Sequence, residues 1–201
     1  MHILVFLLQW LVPIDIAEAG SRYPKECRDL AGKATHIIER PFTTRGGPFE
    51  SQVPALIAIE KASFQYHWNA DDFFQVFNDS KMFSLVAREL DPVFHLVAGD
   101  VIGYIVARRY KSGYFIGTIA VAPKRRGKGV AGQLVDEIKA KLRPGRKNKI
   151  VTLVRESNLD VLHFFKTNGF KATQVIRRPF DDIEEDGILM EYHLYQVADG
   201  T

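Results

Sequence analysis

Residues 114–145 read YFIGTIAVAPKRRGKGVAGQLVDEIKAKLRPG, and this stretch decides the fold of the chain. Its first part, up to Val121, is apolar and rich in β-branched residues, which predicts a strand. Its second part predicts a helix that ends at Pro144-Gly145, with one face against a core. That face carries apolar residues at intervals of four, namely Val130, Leu134, Ile138 and Leu142. A strand, a glycine loop and a helix in direct succession are typical of a mixed α/β domain.

The loop between that strand and that helix is suited to binding an anion. Gly127 and Gly129 allow the backbone to turn so that successive N–H groups point to one place, where the helix N-terminus adds positive potential. The small residues Ala131 and Gly132 let a ligand approach the backbone closely. Residues 124–149 contain ten Lys or Arg and two acidic residues, a net charge of +8. The loop therefore predicts a site for a phosphate-bearing ligand.

Two common phosphate-binding folds fit this loop poorly. The Walker pattern, GxxxxGK followed by Ser or Thr, is absent. Gly127, Gly129 and Gly132 match GxGxxG, and Glu156 lies about where a dinucleotide-binding fold places its ribose-binding acid. In that fold the first glycine directly follows the strand, whereas residues 122–126 intervene here. Too little chain remains for the further βαβ units of a dinucleotide domain, so we interpret the match as a coincidence.

The rest of the chain supplies further strands and helices by its periodicity. The predicted elements before residue 114 are a strand at 36–40, a helix from Ser51 with Pro54 in its first turn, a short helix at 71–77 and a strand at 101–107. Residues 83–88 and 94–98 both have strand character, and the sequence leaves open which is the main second strand. No internal repeat or low-complexity tract is present.

The composition limits the class of protein. The chain has 201 residues, of which 46% are hydrophobic and 25% charged, and these values exclude a disordered, collagen-like or disulfide-stapled protein. Cys27 is the single cysteine, so an intrachain disulfide and a Cys-rich zinc site are excluded, and we predict no metal site. The net charge of +3 is small, and positive charge clusters on one loop and helix while the C-terminal hairpin is acidic, so we expect no nucleic-acid partner.

Residues 1–20, MHILVFLLQWLVPIDIAEAG, leave three interpretations open. Their apolar stretch is shorter than the roughly 20 residues of a membrane-spanning helix, so we expect no stable membrane association. It suits a signal peptide with a cleavage site at 17–19, although no Lys or Arg precedes it. The alternatives are an accessory segment and a start codon placed too far upstream. Because a single unpaired cysteine favours a reducing compartment, we expect a cytoplasmic protein. We expect residues 1–35 to form an accessory segment and residues 36–201 to form the domain.

The sequence resembles the GNAT acetyltransferase superfamily. The signature of that family, between its fourth strand and third helix, is Gln or Arg, two residues, Gly, one residue, then Gly or Ala, and RGKGVA at 126–131 fits it. VTLVRESN at 151–158 gives the next strand, and LDVLHFFKTNGF at 159–170 gives the helix and the Asn-Gly-Phe turn usual in the family. ALIAIEKASFQYHW at 55–68 and IRRPFDDIEEDGILMEYHL at 176–194 are similar to the bacterial ribosomal-protein N-alanine acetyltransferases.

The resemblance implies the GNAT fold, a mixed α/β (α+β) architecture with a central sheet flanked by helices and with splayed fourth and fifth strands. It also implies acetyl-coenzyme A (acetyl-CoA) as the acyl donor. In the family the loop amides hold the pyrophosphate, the end of the fourth strand holds the pantetheine arm, and an Asn such as Asn158 contacts that arm. The residues expected to bind acetyl-CoA are Ile119, Ala120, Val121, Arg126, Gly127, Lys128, Gly129, Val130, Ala131, Gly132, Asn158 and Phe165.

The family's acid and base have no counterpart in this chain. Its glutamate on the fifth strand and its tyrosine on the fourth helix fall at Leu153 and Phe165, which cannot move a proton. We therefore expect direct attack by a neutral amine, with a backbone N–H near Val121 polarising the thioester carbonyl. Glu156, just past the fifth strand, is our candidate base, acting through water. The alternative for Glu156 is a surface ion pair with Arg155 or a lysine.

The acceptor is expected to be a primary amine. Residues 181–186 include five acids, and in the resembling family this loop lies over the acceptor entrance, where it would attract a cation. The alternative is an ordinary solvated loop. Glu60, in the first helix, is expected to be solvated rather than catalytic. A protein or peptide N-terminal α-amine is the predicted acceptor, and the alternatives are a small amine or polyamine and a catalytically silent coenzyme-A-binding module.

Overall fold

The computed structural model describes residues 36–41, 43, 48–90, 97–180 and 184–194. The predicted accessory segment 1–35 lies outside the described residues, and the boundary at residue 36 stays a prediction. The elements in chain order are β1 (His36–Glu39), α1 (Pro48–Ser63), α2 (Ala70–Asn78), β2 (Met82–Leu90), β3 (Val97–Tyr110), β4 (Gly113–Val121), a 3-10 turn (Pro123–Arg125), α3 (Val130–Lys139), β5 (Lys149–Arg155), α4 (Leu159–Thr167), β6 (Lys171–Ile176) and β7 (Gly187–His193).

The strands form one seven-stranded mixed sheet in the order β1-β2-β3-β4-β5-β7-β6. Every neighbouring pair is antiparallel except β4 and β5, which run parallel. The apolar faces of α1 and α2 bury Leu56 and Phe73 in a core on one side of the sheet. Those of α3 and α4 bury Leu134 and Phe165 in a core on the other side. The mixed sheet flanked by helices that the resemblance implies is confirmed.

Strands β4 and β5 separate part-way along their length. Their pairing runs only from Gly113 opposite Lys149 to Ile116 opposite Thr152. Strand β4 nevertheless continues to Val121, and β5 also extends beyond its last paired residue. The splayed fourth and fifth strands are therefore confirmed, and they open a gap in the middle of the sheet.

A bulge and a buried hydroxyl mark the point where the two strands part. Two consecutive β3 residues pair with Thr118 and Ile116, so Gly117 is an extra residue that bends β4. The side chain of Thr152 is fully buried, and its Oγ1 donates to the carbonyl of Ile116 at 3.2 Å. This hydrogen bond links the two strands at their last paired residues, just before the gap opens.

Several element boundaries differ from the sequence-based expectations. Helix α1 begins at Pro48 rather than at Ser51, so Pro54 lies inside the helix and not in its first turn. Of the two segments with strand character, residues 83–88 lie in β2 and residues 97–98 begin the long β3, while residues 94–96 lie outside the described residues. Periodicity does not separate them, because both segments show the same apolar strand pattern in the sequence.

Helix α3 ends at Lys139, although the apolar stripe continues to Leu142. The chain beyond it forms tight i to i+3 turns, in which Lys141 N–H donates to the Ile138 carbonyl at 2.9 Å and Leu142 N–H to the Lys139 carbonyl at 3.0 Å. Leu142 stays 3% exposed and packs in the core. A tightened last turn keeps the apolar residue inward without continuing the α-helix.

Candidate active site

The end of β4 directs backbone groups into the gap. Ala122 N–H donates to the Ile102 carbonyl at 2.8 Å, so Gly103 and Val121, which are opposite each other, form a non-hydrogen-bonded pair. The N–H and carbonyl of Val121 therefore point away from β3 and toward the gap. By the alternation of an antiparallel ladder, those of Ile119 do the same.

The loop after β4 presents a row of backbone donors. Gly127 and Gly129 have φ values of 71° and 77°, in the left-handed region that favours glycine. Within the described part of the chain, no acceptor is found for the backbone N–H groups of residues 127–132, and Gln133 N–H is the first to bond, at 3.0 Å from the Gly129 carbonyl. Successive N–H groups at a helix N-terminus bind oxyanions, so this donor set fits the pyrophosphate of acetyl-CoA.

Arg126 ties this loop to the end of α1. Its Nε donates to the Val121 carbonyl at 3.0 Å, and its Nη2 donates to Ser63 Oγ at 3.0 Å and to the Ala62 carbonyl at 3.4 Å. The guanidinium is thus engaged with protein groups, and it fixes the position of the loop relative to α1. Lys128, by contrast, is exposed beside the loop. The contact of Arg126 and Lys128 with acetyl-CoA stays a prediction.

Most of the other predicted cofactor residues on β4 and α3 have buried side chains. Ile119, Val121, Val130 and Ala131 are 6% exposed or less, so a ligand in the gap would meet their backbone atoms. Ala120 lies between the gap-facing residues, and its partner across the β3–β4 ladder is Tyr104. Gly132 has room for a Cβ, whose nearest neighbour would be Asn168 Oδ1 at 3.7 Å.

Asn158 and Phe165 belong to α4. Asn158 is the N-cap of this helix, and its side chain accepts from Val161 N–H at 3.3 Å. Phe165 is fully buried, and its ring contacts those of Phe164 and Phe170 edge to face, with centroids 5.1 and 4.9 Å away. Their contact with acetyl-CoA stays a prediction, since Phe165 presents no surface in this structure.

Strand β5 brings no proton-transferring side chain to its half of the gap. Leu153 is 7% exposed and packs so closely that a Cβ on Gly187 would lie 2.9 Å from its Cδ1. Glu156 is exposed at the turn after β5. Its expected partner, Arg155, bonds to Glu185 instead, and within the described ranges no cation pairs with the Glu156 carboxylate. The role of Glu156 as a base stays a prediction.

Glu60 is buried, so the expectation that it is solvated is wrong. It is 2% exposed, one carboxyl oxygen accepts from the Tyr104 hydroxyl, and the other accepts from Trp68 N–H at 3.0 Å. Burial raises the pKa of Glu60 to about 8, against the opposing effect of the Trp68 N–H. A signal was available in the sequence, because Glu60 falls four residues after Leu56 on the apolar face of α1.

Glu185 joins the β6–β7 hairpin to the corner between β5 and α4. Its Oε1 accepts from Ser157 N–H at 2.7 Å, and its Oε2 lies 3.4 Å from Arg155 Nη1. The same guanidinium stacks over the Phe180 ring, 4.1 Å from its centroid. Partial burial acts to raise the pKa of Glu185, but the hydrogen bonds from Ser157 and the charge of Arg155 outweigh it and hold the pKa below its usual value.

The remaining described acids of the predicted acceptor loop also face arginines. Asp186 accepts from Arg177 Nη1 at 2.7 Å and from Arg178 N–H at 3.1 Å, and Glu184 lies 3.3 Å from Arg178 Nη1. Asp181 and Asp182 lie outside the described residues. Much of the negative charge at 184–186 is therefore neutralised locally, which weakens the expected attraction of a cationic acceptor.

The comparison with protein families agrees with this geometry. Residues 53–170 match the model of the acetyltransferase (GNAT) family. This chain belongs to the GNAT acetyltransferase family. It is therefore an acyltransferase that uses acetyl-CoA as its donor. No curated protein sequence matches the chain.

Solved structures share the GNAT fold with this chain. The ribosomal-protein-S18-alanine N-acetyltransferase from Escherichia coli has a TM-score of 0.58 and 17% identity, over 83% of this chain and 98% of that one. Ard1 from Thermoplasma volcanium has a TM-score of 0.63 and 19% identity, over 81% of this chain and 100% of that one. Arabidopsis thaliana NAA60 in complex with acetyl-CoA has a TM-score of 0.62 and 19% identity, over 80% and 99%.

Two further kinds of feature are absent from the part of the chain that the structure describes. No helix there combines the length and the apolar character needed to cross a membrane. No group of three or more His, Cys, Asp or Glu side chains is placed there to hold a metal ion.

Proposed function

We propose that this GNAT enzyme acetylates the α-amino group of a protein or peptide N-terminus by direct attack of the neutral amine. One observation carries the proposal: the positions at which the family has its base and acid hold Leu153 on β5 and Phe165 on α4, both side chains are buried, and neither accepts a proton. The acceptor must therefore arrive largely deprotonated.

Amine basicity separates the two common classes of protein acceptor. An α-amino group has a pKa near 8 and a lysine near 10.4, so at pH 7.5 roughly a quarter of the α-amine is neutral but only about 0.1% of the lysine. A difference of roughly 2.4 pKa units corresponds to about 3 kcal/mol of deprotonation free energy. A site without a strong base leaves that cost to the acceptor, which favours the α-amine.

The proposed reaction uses the backbone that faces the gap. The amine nitrogen attacks the thioester carbonyl carbon, and the gap-facing Val121 N–H donates to the oxygen as it gains negative charge. The carbon–sulfur bond then breaks, coenzyme A leaves as a thiolate and takes up a proton, and the amide is released. The proton lost by the nitrogen passes to a water molecule, and Glu156 is proposed to take the proton from that water.

The acetyl-CoA residues expected from the sequence are proposed in the same roles. The amides of residues 127–132 are proposed to hold the pyrophosphate, and Ile119 and Val121 the pantetheine arm. The proposal of an N-terminal acceptor is also supported by the name of one similar protein, an N-acetyltransferase of an alanine in ribosomal protein S18. The fold alone is shared at 17% identity, so the acceptor has to be tested.

Release of coenzyme A thiol from acetyl-CoA, measured with matched acceptors, tests this function. One peptide carries a free α-amine and no lysine, and its partner has the same sequence with a formylated N-terminus and one internal lysine. Spermidine represents small polyamines. We expect a kcat/KM for the first peptide at least 100-fold above the other two, with the acetyl group located on the α-nitrogen by mass spectrometry.

Other outcomes of the same measurement would replace the proposal. A preference for spermidine would identify a small-molecule amine acetyltransferase, and a preference for the internal lysine would show that a base operates in the site. Binding of acetyl-CoA without thiol release for any acceptor would indicate a catalytically silent module.

We also propose a cytoplasmic enzyme in which residues 1–35 are an accessory segment of the 36–201 domain. The single cysteine, Cys27, supports a reducing compartment. Cell fractionation together with N-terminal sequencing tests this. A mature chain that begins after Ala19 and is found outside the cytoplasm would identify an export signal instead.

A further inference from the structure

Positively charged side chains gather around two aromatic rings at the end of the sheet away from the acetyl-CoA loop. The rings of Phe83 and Tyr114 meet edge to face, with centroids 5.7 Å apart. The cations are Arg40 and Arg109, whose Cζ atoms lie 4.7 and 5.5 Å from the Phe83 centroid, Lys141, whose Nζ lies 6.0 Å from it, and Lys147, whose Nζ lies 5.1 Å from the Tyr114 centroid. These six residues are called the Phe83 cluster below.

Few carboxylates accompany these cations. Among the residues that the structure describes, the one carboxylate within 4 Å of them is that of Glu137, at 3.8 Å from Lys141 Nζ. The other three side chains donate to backbone carbonyls instead: Arg40 to Ser84 at 3.0 Å, Arg109 to Ser80 at 3.2 Å and Lys147 to Tyr110 at 3.0 Å. The cluster therefore keeps a net positive charge.

The cations also repel one another. Burial and, after it, the charge of Arg109 lower the pKa of Arg40, so the Arg109 guanidinium is close enough to disfavour the charge on Arg40. Attraction between each cation and the aromatic ring beneath it offsets part of this repulsion. Like charges held together in this way gain stability when an anion joins them.

The Phe83 cluster is separate from the acetyl-CoA site. Tyr114 lies at the beginning of the nine-residue β4, whereas the loop at 127–132 follows its end. At about 3.3 Å per residue, the two ends of this strand are about 25 Å apart. An anion at the cluster would therefore leave the pyrophosphate site free.

We propose that the Phe83 cluster binds a compact oxyanion of the phosphate class that carries two or more negative charges. Arg40 and Arg109 supply planar guanidinium groups, which can each donate two parallel hydrogen bonds to a phosphate. Lys141 supplies a point charge, and the Phe83 ring forms an apolar floor. The proposal does not depend on the identity of the amine acceptor.

The arrangement favours a small, multiply charged anion over a nucleic acid. Three cations lie within 6.0 Å of the centroid of one ring, so their charge is concentrated in a small volume. A nucleic-acid backbone spreads its charge along its length, with one negative charge per phosphate. It would place about one charge in this space and leave the repulsion between the guanidinium groups largely uncompensated.

Thermal unfolding of the full chain with inorganic pyrophosphate tests the proposal. Saturating coenzyme A is present throughout, so that the loop at 127–132 is occupied, and sodium chloride keeps the ionic strength constant. We expect 5 mM pyrophosphate to raise the Tm by about 3 °C or more, since a ligand that binds only the native state stabilises it by mass action. Inorganic phosphate, with less charge, should give a smaller shift.

Matched substitutions assign the shift to the cluster. We expect Arg109→Gln and Lys141→Gln each to lose at least two thirds of the pyrophosphate-induced shift. The control is Lys166→Gln, which removes one positive charge from the exposed face of α4 and should keep the whole shift. Each shift is measured against the same variant without pyrophosphate, so a change in the variant's own stability does not enter. Lys141 is exposed, which makes its variant safe for folding.

Three results would overturn the proposal. The first is the absence of a shift in the unmodified chain, and the second is an equal shift in all three variants. The third is a larger shift with a single-stranded RNA oligonucleotide than with pyrophosphate at equal phosphate concentration, which would identify a nucleic-acid surface instead.

Discussion

Glu60 links three parts of the fold at the scale of a single residue. It lies on α1, it holds the backbone of Trp68 in the connection to α2, and it contacts Tyr104 in the middle of the sheet. The connection that it fixes carries Tyr66, which is 59% exposed. Because Tyr104 pairs with Ala120, the position of this connection is set directly against the strand that faces the gap.

We expect Glu60→Gln to flatten the pH dependence of stability. The pKa of Glu60 is about 8 in the folded chain, above its ordinary value of 4.5. Between these values the folded state keeps a proton that the unfolded chain has lost, so the stability that this group contributes is complete below about pH 4.5 and is lost as the pH rises to about 8. Glutamine keeps the shape but does not titrate.

The measurement is the free energy of unfolding by denaturant at pH 5 and pH 8. The unmodified chain should lose up to a few kcal/mol more than the variant over this interval. Parallel curves for the two proteins would show that Glu60 titrates normally. If Glu60 positions the connection and does not transfer a proton, the rate of thiol release by the variant with the preferred acceptor should stay within about threefold of that of the unmodified chain.

We expect Gly129→Ala to weaken acetyl-CoA binding at least tenfold, because its Cβ would enter the space in front of the loop amides. That space is open in the free protein, where a Cβ would meet no atom within 4 Å. The φ of 77° also makes alanine strained there, by about 1 kcal/mol. Gly145→Ala is the matched control, since Gly145 has a φ of 72° and equally open surroundings after α3.

Calorimetric titration with acetyl-CoA separates the two effects of this substitution. Both variants should lose similar stability, but only Gly129→Ala should lose affinity. Unchanged affinity in a folded Gly129→Ala protein would remove the pyrophosphate from this loop.

At the scale of elements, ion pairs hold the β6–β7 hairpin in place. The acids of these pairs are ones that the sequence suggested would attract the acceptor. We expect Glu185→Gln to cost about 1–3 kcal/mol of stability, because Glu185 accepts from Ser157 and pairs with Arg155, and both partners of the pair are 11% exposed. The pKa of Glu185 is lowered, so its contribution is present above its ordinary value of 4.5 and is lost as the pH falls through the folded pKa.

Glu184→Gln provides the control for this substitution. Glu184 lies three residues before Gly187 in the same loop, and its pair with Arg178 has side chains that are 80% and 66% exposed, so its removal should cost less than about 0.5 kcal/mol. Urea unfolding of both variants at pH 7 and at acid pH gives the comparison. Equal stability of the two variants at pH 7 would show that the Glu185 contacts do not hold the hairpin.

At the scale of the whole molecule, two positively charged regions lie at opposite ends of β4. One is the loop after β4, where backbone amides and basic residues fit the phosphates of acetyl-CoA. The other is the Phe83 cluster at the beginning of β4. Between them, beyond the Gly117 bulge, β4 and β5 separate and leave a gap in the sheet. The fold thus separates two regions of positive charge from the place where acyl transfer is proposed.

We expect the pH profile of kcat/KM to follow the acceptor. Without a strong base in the gap, the rate should rise with pH until the acceptor amine is deprotonated, with a midpoint near 8 for an α-amino group. Replacing the N-terminal residue of the peptide by β-alanine, whose amine is more basic, should move the midpoint upward. Since Glu60 also has a pKa of about 8, the same profile is measured in Glu60→Gln, which should leave the midpoint unchanged. A midpoint that is the same for both acceptors would indicate an enzymic base.

The local features of this fold could be predicted from the sequence because they depend on neighbours in the chain. The strand to Val121, the glycine loop and the helix from Val130 all appear in the structure. Their signals are β-branched residues, glycines that take a positive φ, and an apolar stripe. The splay of β4 and β5 was expected through the family resemblance and not from composition or periodicity.

Other features were decided by the tertiary structure alone. The position of Glu60 on the apolar face of α1 is a signal in the sequence, but its partners Tyr104 and Trp68 come to it from elsewhere in the fold. The acids at 184–186 read as one charged loop, yet arginines neutralise them. The Phe83 cluster joins residues as far apart in the chain as Arg40 and Lys147. The physical reason is that burial and charge pairing depend on distances in space, whereas periodicity and turn chemistry depend on the order of residues along the chain.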